Sequence, residues 1–572
     1  MSAQWGRPLH HVIHAIAFTV LGRQSVDGAV RLRADGVDRG RLVLPRTITL
    51  PEAARLTGDL VGDAGSVVAT TANAGSGLPE QVRLEILHRA DGTIAIPVTG
   101  SARQADRLRH AWHHPYTAAA TVRDVPLVSP DDARDLARWD ENLAPVPATT
   151  LDATFSRIAR ALPAATAVAA GDHRLSYAQV EAQASRLAGL LVRSGVQLGE
   201  PVVVVSDRPF RAVVEQLAVL KAGAVCLPVG RVTRLRAREL TALSGARYVL
   251  GDGPGVAPWE PYCRTLSARQ AHQAPERGPE GTTPEPSLPR SGFTDVAYCL
   301  VDTPDRGRPG ARLSAHDAWG SATLARIRRI GRASGEIAVC ARPWDPVFVS
   351  AMWWAFACGG LLRWHDPAAA DAHRSVARHL TGDSRPDALL TAEQYGRVLA
   401  AVDRPAAPGA RAVVLTGEPA GDRPMERHAA RLPGARLFAE FSGDGAPLPW
   451  TVRELPPPGT EPAKSAGDPA NPFTPIGRPA PNVRVRILDE SGRALPPGIV
   501  GELRAEGCAL SCATLPPGGT QPGYPDPLLA SGRLARLRAD GTLELADARP
   551  APPAAPHVLV RRTSPAVGAL RR

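Results

Sequence analysis

Lysine is almost missing from this 572-residue chain: of 67 Lys and Arg residues, only Lys221 and Lys464 are lysine. Nearly all positive charge is arginine, scattered among 56 Asp and Glu residues with no long basic run. The net charge of +11 and pI of about 9.8 are therefore spread out. A nucleic-acid footprint needs cations gathered on one face, so nucleic acid is not expected as a partner. The cysteines Cys226, Cys263, Cys299, Cys340, Cys358, Cys508 and Cys512 are odd in number and contain no Cys-x-x-Cys pair. That excludes a disulfide framework or zinc ribbon, and it fits reduced, mostly buried thiols in a cytoplasmic protein. Cys508 and Cys512 are close but lack a second pair to complete a tetrahedral site, so no metal ligands are assigned. Long apolar runs are also lacking. Residues 347–362 (VFVSAMWWAFACGGLL) fall short of the roughly 20 needed to span a bilayer and read as a buried helix. Residues 12–21 contain His14 and precede no small-residue cleavage site, so a signal peptide is not expected.

What is present is a globular composition, 44% hydrophobic and 22% charged, punctuated by three breaks. Residues 126–150 are rich in Asp and Pro and read as a domain linker. Residues 273–290 and 455–472 are polar, Pro-rich loops that cannot build a core. Between the first two breaks the pattern is α/β. Apolar positions at Val180, Ala184, Leu187, Leu190 and Leu191 predict a helix over 177–194. Residues 201–205 (PVVVV) predict a strand buried on both faces, and Val213, Val214, Leu217 and Leu220 mark the next helix. Such alternation implies βα units on a mostly parallel sheet. After Pro472 the texture changes: residues 483–488 (VRVRIL) alternate, a turn follows at 489–492, and a second strand is expected near 501–505, giving antiparallel β with one wet face.

Several ordered blocks carry a family resemblance. Residues 175–181 (LSYAQVE) with 185–188 (SRLA), residues 220–228 (LKAGAVCLP), residues 475–479 (PIGRP), residues 485–489, Pro497-Gly498 and residues 501–503 (GEL) are similar to the adenylation domains of nonribosomal peptide synthetases, members of the adenylate-forming, AMP-binding superfamily. The resemblance runs in order across about 300 to 400 residues. It implies an α/β large core of layered βα subdomains with a small β subdomain, over residues 151–549. A Pro/Ala/Arg-rich tail follows at 550–572, where the family's lysine-bearing mobile C-terminal subdomain is expected to be missing. Upstream, residues 127–151 look like a junction between a condensation and an adenylation domain. Residues 1–125 would then be a shortened, α+β, condensation-like remnant. Residues 10–16 (HHVIHAI) are similar to that family's paired-histidine motif, with Ala15 and Ile16 in place of its Asp and Gly; otherwise they read as two ordinary histidines at a strand end.

The resemblance also implies where ATP and Mg2+, the cofactors of an active member, would bind. Activating a carboxylate with ATP brings an anion against a polyanion, so positioning and charge neutralisation dominate. The family's phosphate loop falls at residues 297–316, framed by Tyr298, Gly307, Pro309 and His316. There Thr303, Arg306, Gly307 and Arg308 are the nucleotide-binding candidates. Pro304 removes an N–H where the loop wants Gly, Asp305 adds a carboxylate, and Gly310 replaces the lysine. The aromatic–Gly–Pro–Thr–Glu turn falls at Phe441, Ser442, Gly443, Asp444 and Gly445. The metal carboxylate is thus replaced by Gly445, with Asp444 adjacent. The ribose-binding Asp of the Thr–Gly–Asp motif falls at Arg533, a donor in place of an acceptor. On the substrate side, Trp344-Asp345 is similar to the family's Phe-Asp pair, whose Asp accepts the substrate's α-ammonium. Asp345 is the amine-binding candidate, with a helix N-cap or a solvated loop Asp as the alternative. Gly417 and Glu418 lie near the Gly-Gly-Glu turn lining the same pocket.

The expectation is an adenylation-like protein of secondary metabolism with impaired catalysis, acting through partner or ligand binding. The alternative is an active amino-acid-activating ligase with unusual phosphate contacts and a C-terminal subdomain supplied in trans. With no Gly-Gly-x-Ser carrier signature, the expected partners are other synthetase chains or a separate carrier protein, together with a small amino-acid ligand. A membrane is not expected as a partner.

Overall fold

The computed structural model describes residues 6–22, 29–44, 46–64, 66–71, 81–85, 87–88, 94–117, 119–267, 270, 288, 290–302, 310–331, 335–406, 409–419, 423–443, 447–455, 473–510, 513–515 and 528–546.

The predicted βα alternation is present. Ser176 caps the helix Tyr177–Arg193, its Oγ accepting from the Gln179 N–H while Gln179 Oε1 accepts from the Ser176 N–H. Pro201–Val205 is a strand and Pro209–Lys221 a helix with Pro in its first turn, where no N–H is needed. Strands Arg264–Leu266, Tyr248–Gly251, Pro201–Val205, Val225–Val229 and Val296–Asp302 run parallel as neighbours in one sheet, extended antiparallel by Gly310–Ala315 and Ala513–Leu515. Valines fill the interior of Pro201–Val205 because helices cover both faces.

A second sheet holds the parallel strands Arg436–Phe441, Ala412–Gly417, Asp387–Thr391, Glu336–Val339, Leu361–Trp364 and Thr166–Ala170, in that spatial order. Glu336–Val339 comes first of the inner strands in sequence, with Leu361–Trp364 on one side and Asp387–Thr391 on the other. The strand order therefore reverses beside Glu336–Val339. In doubly wound sheets, ligands bind outside the carboxyl ends of the strands at such a point. The apolar run at 347–362 divides in two: a buried helix, Pro346–Cys358, ends at Gly359 in the left-handed region, and the strand Leu361–Trp364 follows.

The same sheet continues antiparallel through Thr451–Leu455, Phe473–Pro479, Leu543–Ala546, Leu529–Leu537, Gly501–Glu506 and Arg484–Leu488. Ile487 pairs with Leu503, and burial alternates along Gly501–Glu506, as the sequence pattern predicts.

The N-terminal region forms an antiparallel five-stranded sheet with the helices Leu9–Gly22, Leu50–Val61 and Ala102–His113 packed on it. Residues 10 and 11 begin a helix, not a strand end, because the apolar residues from Val12 to Leu21 are buried along a helical path. This core is continuous with that of the C-terminal strands: Ile16, Leu108 and Val122 belong to one apolar cluster with Ile487, Leu503 and Leu543.

Residues 126–150, read as a linker, contain the helix Pro130–Asp140. Its first turn carries a fully buried Asp132, which accepts from Arg107 Nε and Nη2 at 2.7 and 2.8 Å. Arg107 also donates to the Pro497 carbonyl at 2.6 Å, so one guanidinium joins three segments. Burial alone pushes the Asp132 carboxyl up, but Arg107 and the Ser129 cap bring it below the ordinary carboxylate range. Beyond this helix, Asn142 donates to the Ala480 and Val483 carbonyls, and Arg486 reaches Asp140 at 2.5 Å. The segment is a strap laid across the core. Cys226, Cys263, Cys299 and Cys340 are buried free thiols, Cys358 is half-buried and Cys508 exposed, while Cys512 lies outside the described residues. No helix among the described residues is long and apolar enough to cross a membrane.

Candidate functional site

Asp345 follows the strand Glu336–Val339, at the reversal point of the large sheet, and is the N-cap of the helix Pro346–Cys358. Its carboxylate accepts from the Val347 N–H at 3.0 Å. Burial pushes this carboxyl above the usual range, and the Val347 N–H offsets part of the rise. The cap and the amine-binding reading are compatible, because one N–H uses only one of about four lone-pair positions. Trp344 packs on Gly230, where a Cβ would stand 2.6 Å from the indole ring, so only glycine admits this tryptophan.

The floor behind Asp345 is a chain of buried hydrogen bonds. Trp353 Nε1 donates to Tyr298 Oη at 3.0 Å, Tyr298 donates to Gln216 Oε1 at 3.3 Å, and Gln216 Nε2 donates to the Pro343 carbonyl at 2.9 Å. Burial drives the Tyr298 phenol well above its ordinary pKa, so it stays a neutral donor. The chain fixes the Pro343–Asp345 loop to two helices and to the strand that leads into the predicted phosphate loop.

Sequence reasoning missed a second brace. Arg326 on the helix His316–Ile330 forms a bidentate pair with Glu440, at 2.9 and 2.6 Å, and both side chains are almost wholly buried. Arg326 also donates to Ser350 Oγ at 3.3 Å and lies over the Trp354 ring. Ser350 and Trp354 belong to the helix that Asp345 caps, so the pair supports the same wall. The cavity beside it, lined by Arg326, Glu440, Phe438 and Val452, measures ≈ 10 Å³ and has room for about one water. The detectable signal was an arginine on the buried stripe of a helix and a glutamate just before Phe441.

The nucleotide side is different. Val296–Asp302 and Gly310–Ala315 pair as a hairpin with Asp302 opposite Gly310, which fixes the ends of the predicted phosphate loop. Thr303, Arg306, Gly307 and Arg308 lie outside the described residues, as does Asp444. Gly310, at the lysine position, opens the second hairpin strand and carries no side chain to reach a phosphate. Gly417 ends the strand Ala412–Gly417 with φ +97° and pairs with Phe441, which brings its turn beside the Phe441–Gly443 segment. Gly443 itself must be glycine, since a Cβ there would come 2.4 Å from the Trp450 ring.

Arg533, at the ribose-binding position, does not stand alone. It sits beside Gly532 at an irregularity within the strand Leu529–Leu537, its N–H donating to Ser531 Oγ, and its guanidinium pairs with Glu418 at 2.8 Å. The structure thus joins two sequence-predicted segments 115 residues apart, but as an ion pair between them. The resemblance expects a carboxylate acceptor for ribose hydroxyls at Arg533, and a guanidinium offers only donors. At these positions the described residues supply neither the carboxylate acceptor nor, at Gly310, the cation that the resemblance expects. The lysines give no substitute: Lys221 is tied to Glu181 and Ser156 at 2.7 Å each, and Lys464 lies outside the described residues.

Residues 155–290 match the family of AMP-binding enzymes. The phosphinothricin tripeptide synthetase PhsB of Streptomyces viridochromogenes is 29% identical over 447 residues, 73% of this chain and 36% of the relative. The chain thus spans about a third of that protein's length. Among solved structures, the nonribosomal peptide synthetase FmoA3 superposes with a TM-score of 0.73 at 18% identity, covering 95% of this chain and 66% of that one. The N-terminal subdomain of Klebsiella oxytoca NpsA in complex with 3-hydroxyanthranilyl-AMSN gives 0.56 at 19% identity, covering 69% and 99%.

Proposed function

We propose that this chain, a member of the nonribosomal peptide synthetase adenylation family, serves secondary-metabolite biosynthesis without efficient acyl-adenylate formation, acting as a binding protein for an amino-acid-like ligand or a synthetase partner. The observation that carries the reading is the Arg533–Glu418 ion pair at the position where the family binds ribose. The amine end supports ligand binding: Asp345 remains, capped into a rigid helix and backed by Trp353, Tyr298 and Gln216. A carboxylate raised by burial gains most from an ammonium partner, which restores its charged form.

Residues 1–125 fit a condensation-like segment fastened to the adenylation-like core through the strap at 126–150. Supporting this, the FmoA3 likeness extends over 95% of the chain, whereas the NpsA subdomain covers 69%. The retained synthetase scaffold favours partner chains or a separate carrier protein as the recipients of any bound ligand.

Titration calorimetry of the purified chain with amino acids and, separately, with ATP and Mg2+ tests the reading. Saturable binding of an amino acid is expected, with no saturable ATP binding. Asp345→Asn keeps a competent N-cap and removes the charge, so it should weaken the amino acid at least about tenfold while circular dichroism is unchanged, as expected for a lost charge-assisted hydrogen bond of about 1.5–3 kcal/mol. Tight ATP binding would overturn the proposal. Unchanged amino-acid affinity in Asp345→Asn would remove Asp345 from the site.

A further inference from the structure

Away from Asp345 and Arg533, the helix Leu9–Gly22 brings two imidazoles to the end of the helix Leu50–Val61. His10 Nε2 lies 3.1 Å from Asp63 Oδ1, and His11 Nε2 lies 4.0 Å from the same oxygen. One donor atom from each of the three side chains lies within 4.8 Å of the others. His11 Nε2 also donates to the Gly62 carbonyl at 3.2 Å. We infer that His10, His11 and Asp63 bind a divalent metal ion of the zinc class, fastening the helix Leu9–Gly22 to the helix Leu50–Val61. His11 gives up its bond to Gly62 together with the Nε2 proton, released to water, when Nε2 takes the ion.

Three features favour a site over a simple surface ion pair. Zn2+ bonds of about 2.0–2.1 Å in tetrahedral geometry place neighbouring donors roughly 3.3–3.4 Å apart. The two histidine–aspartate separations fall on either side of that spacing. The donors also come from segments more than fifty residues apart, and two imidazoles with one carboxylate suit Zn2+ better than Ca2+ or Mg2+, which prefer oxygen. Finally, Gly58 stands within the last turn of the helix Leu50–Val61, and glycine inside a helix costs roughly 0.5–1 kcal/mol relative to alanine. A Cβ at Gly58 would come 2.5 Å from His11 Nδ1, so glycine is what permits this ring position. An ion pair between His10 and Asp63 alone would not require that space.

Asp63 follows the left-handed Gly62 at the helix end and is almost fully exposed. Its carboxylate can swing the roughly 0.6–0.7 Å by which the His11 separation exceeds that tetrahedral spacing, and a water can take the fourth position. His14, one turn along the helix, is fully buried and is not a ligand.

The test is calorimetric titration of the full chain with Zn2+, paired with Co2+ absorption spectroscopy. One saturable site per chain with ligand-field bands of a low-coordinate Co2+ ion is expected. Asp63→Asn and His11→Ala should each weaken Zn2+ by at least about tenfold, since even outer-shell changes cost 10–100-fold. His110→Ala, which alters a histidine outside the cluster, should bind as the parent does. Zn2+ should also raise the unfolding temperature of the parent and not that of Asp63→Asn, whose exposed position leaves folding intact. No saturable binding, or equal binding by the parent and the triple variant His10→Ala, His11→Ala, Asp63→Asn, would overturn the inference.

Discussion

The wall around Asp345 and the rim around Arg533 both depend on charged side chains, but in opposite settings. At the wall, Arg326 and Glu440 are desolvated, bidentate and surrounded by Trp354 and Ser350. At the rim, Glu418 is 72% exposed, so its bond to Arg533 competes with water and salt. Removing one partner of a buried pair strands a charge, whereas removing one partner of an exposed pair merely rehydrates the other. The wall behind Asp345 is therefore a rigid part of the fold. The rim around Arg533 is a surface whose residues can change at little cost to stability, so on the proposed reading its ATP contacts can be lost while the scaffold stays.

The largest expected effect breaks the wall. Arg326→Ala should cost about 3–5 kcal/mol, read as a lower denaturant midpoint, because Glu440 is left buried and unpaired. A double variant, Arg326→Met with Glu440→Leu, should recover much of that loss. If Arg326→Ala is silent, the wall is not braced as described.

A second effect depends on pH. Glu215 lies on the helix Pro209–Lys221 next to Gln216, is fully buried, and has Arg211 Nε 4.0 Å away. Burial pushes its carboxyl well above the ordinary value, with Arg211 opposing the rise. A folded-state pKa raised above the unfolded value gives stability that is present below pH 4.5 and is lost as pH rises through the folded value. Glu215→Gln should therefore gain on the parent by about 1.4 kcal/mol for each pH unit across that window. Melting curves over a pH series would show the gap widening toward alkaline pH; a constant gap would contradict the assignment.

The smallest effect belongs to the rim. Arg533→Ala should change stability by less than about 1 kcal/mol, and less still at high salt. A loss as large as that of Arg326→Ala would erase the contrast between the two regions.

The elements most legible in the sequence were those whose apolar pattern is continuous. The helix Tyr177–Arg193, the valine strand Pro201–Val205 and the alternating pair Arg484–Leu488 and Gly501–Glu506 are set by which residues avoid water. The helix Pro130–Asp140 was read as linker because its sequence, PDDARDLARWD, is mostly charged and its partners lie far along the chain. Its cap was nevertheless visible: Ser129 followed by Pro130 and, three residues on, Asp132. Asp345 was placed by its resemblance, and the helix N-cap weighed as its alternative is what the structure shows. Neither Arg326–Glu440 nor Arg533–Glu418 could be read in advance, because each joins residues more than a hundred positions apart that only the folded sheets bring together.

Amino-acid-dependent ATP–pyrophosphate exchange by the purified chain tests the central claim most directly. The account predicts no exchange above a protein-free control with any amino acid, including one that calorimetry shows to bind. Robust exchange with even one amino acid would contradict it and establish that the rim around Arg533 still holds ATP for catalysis.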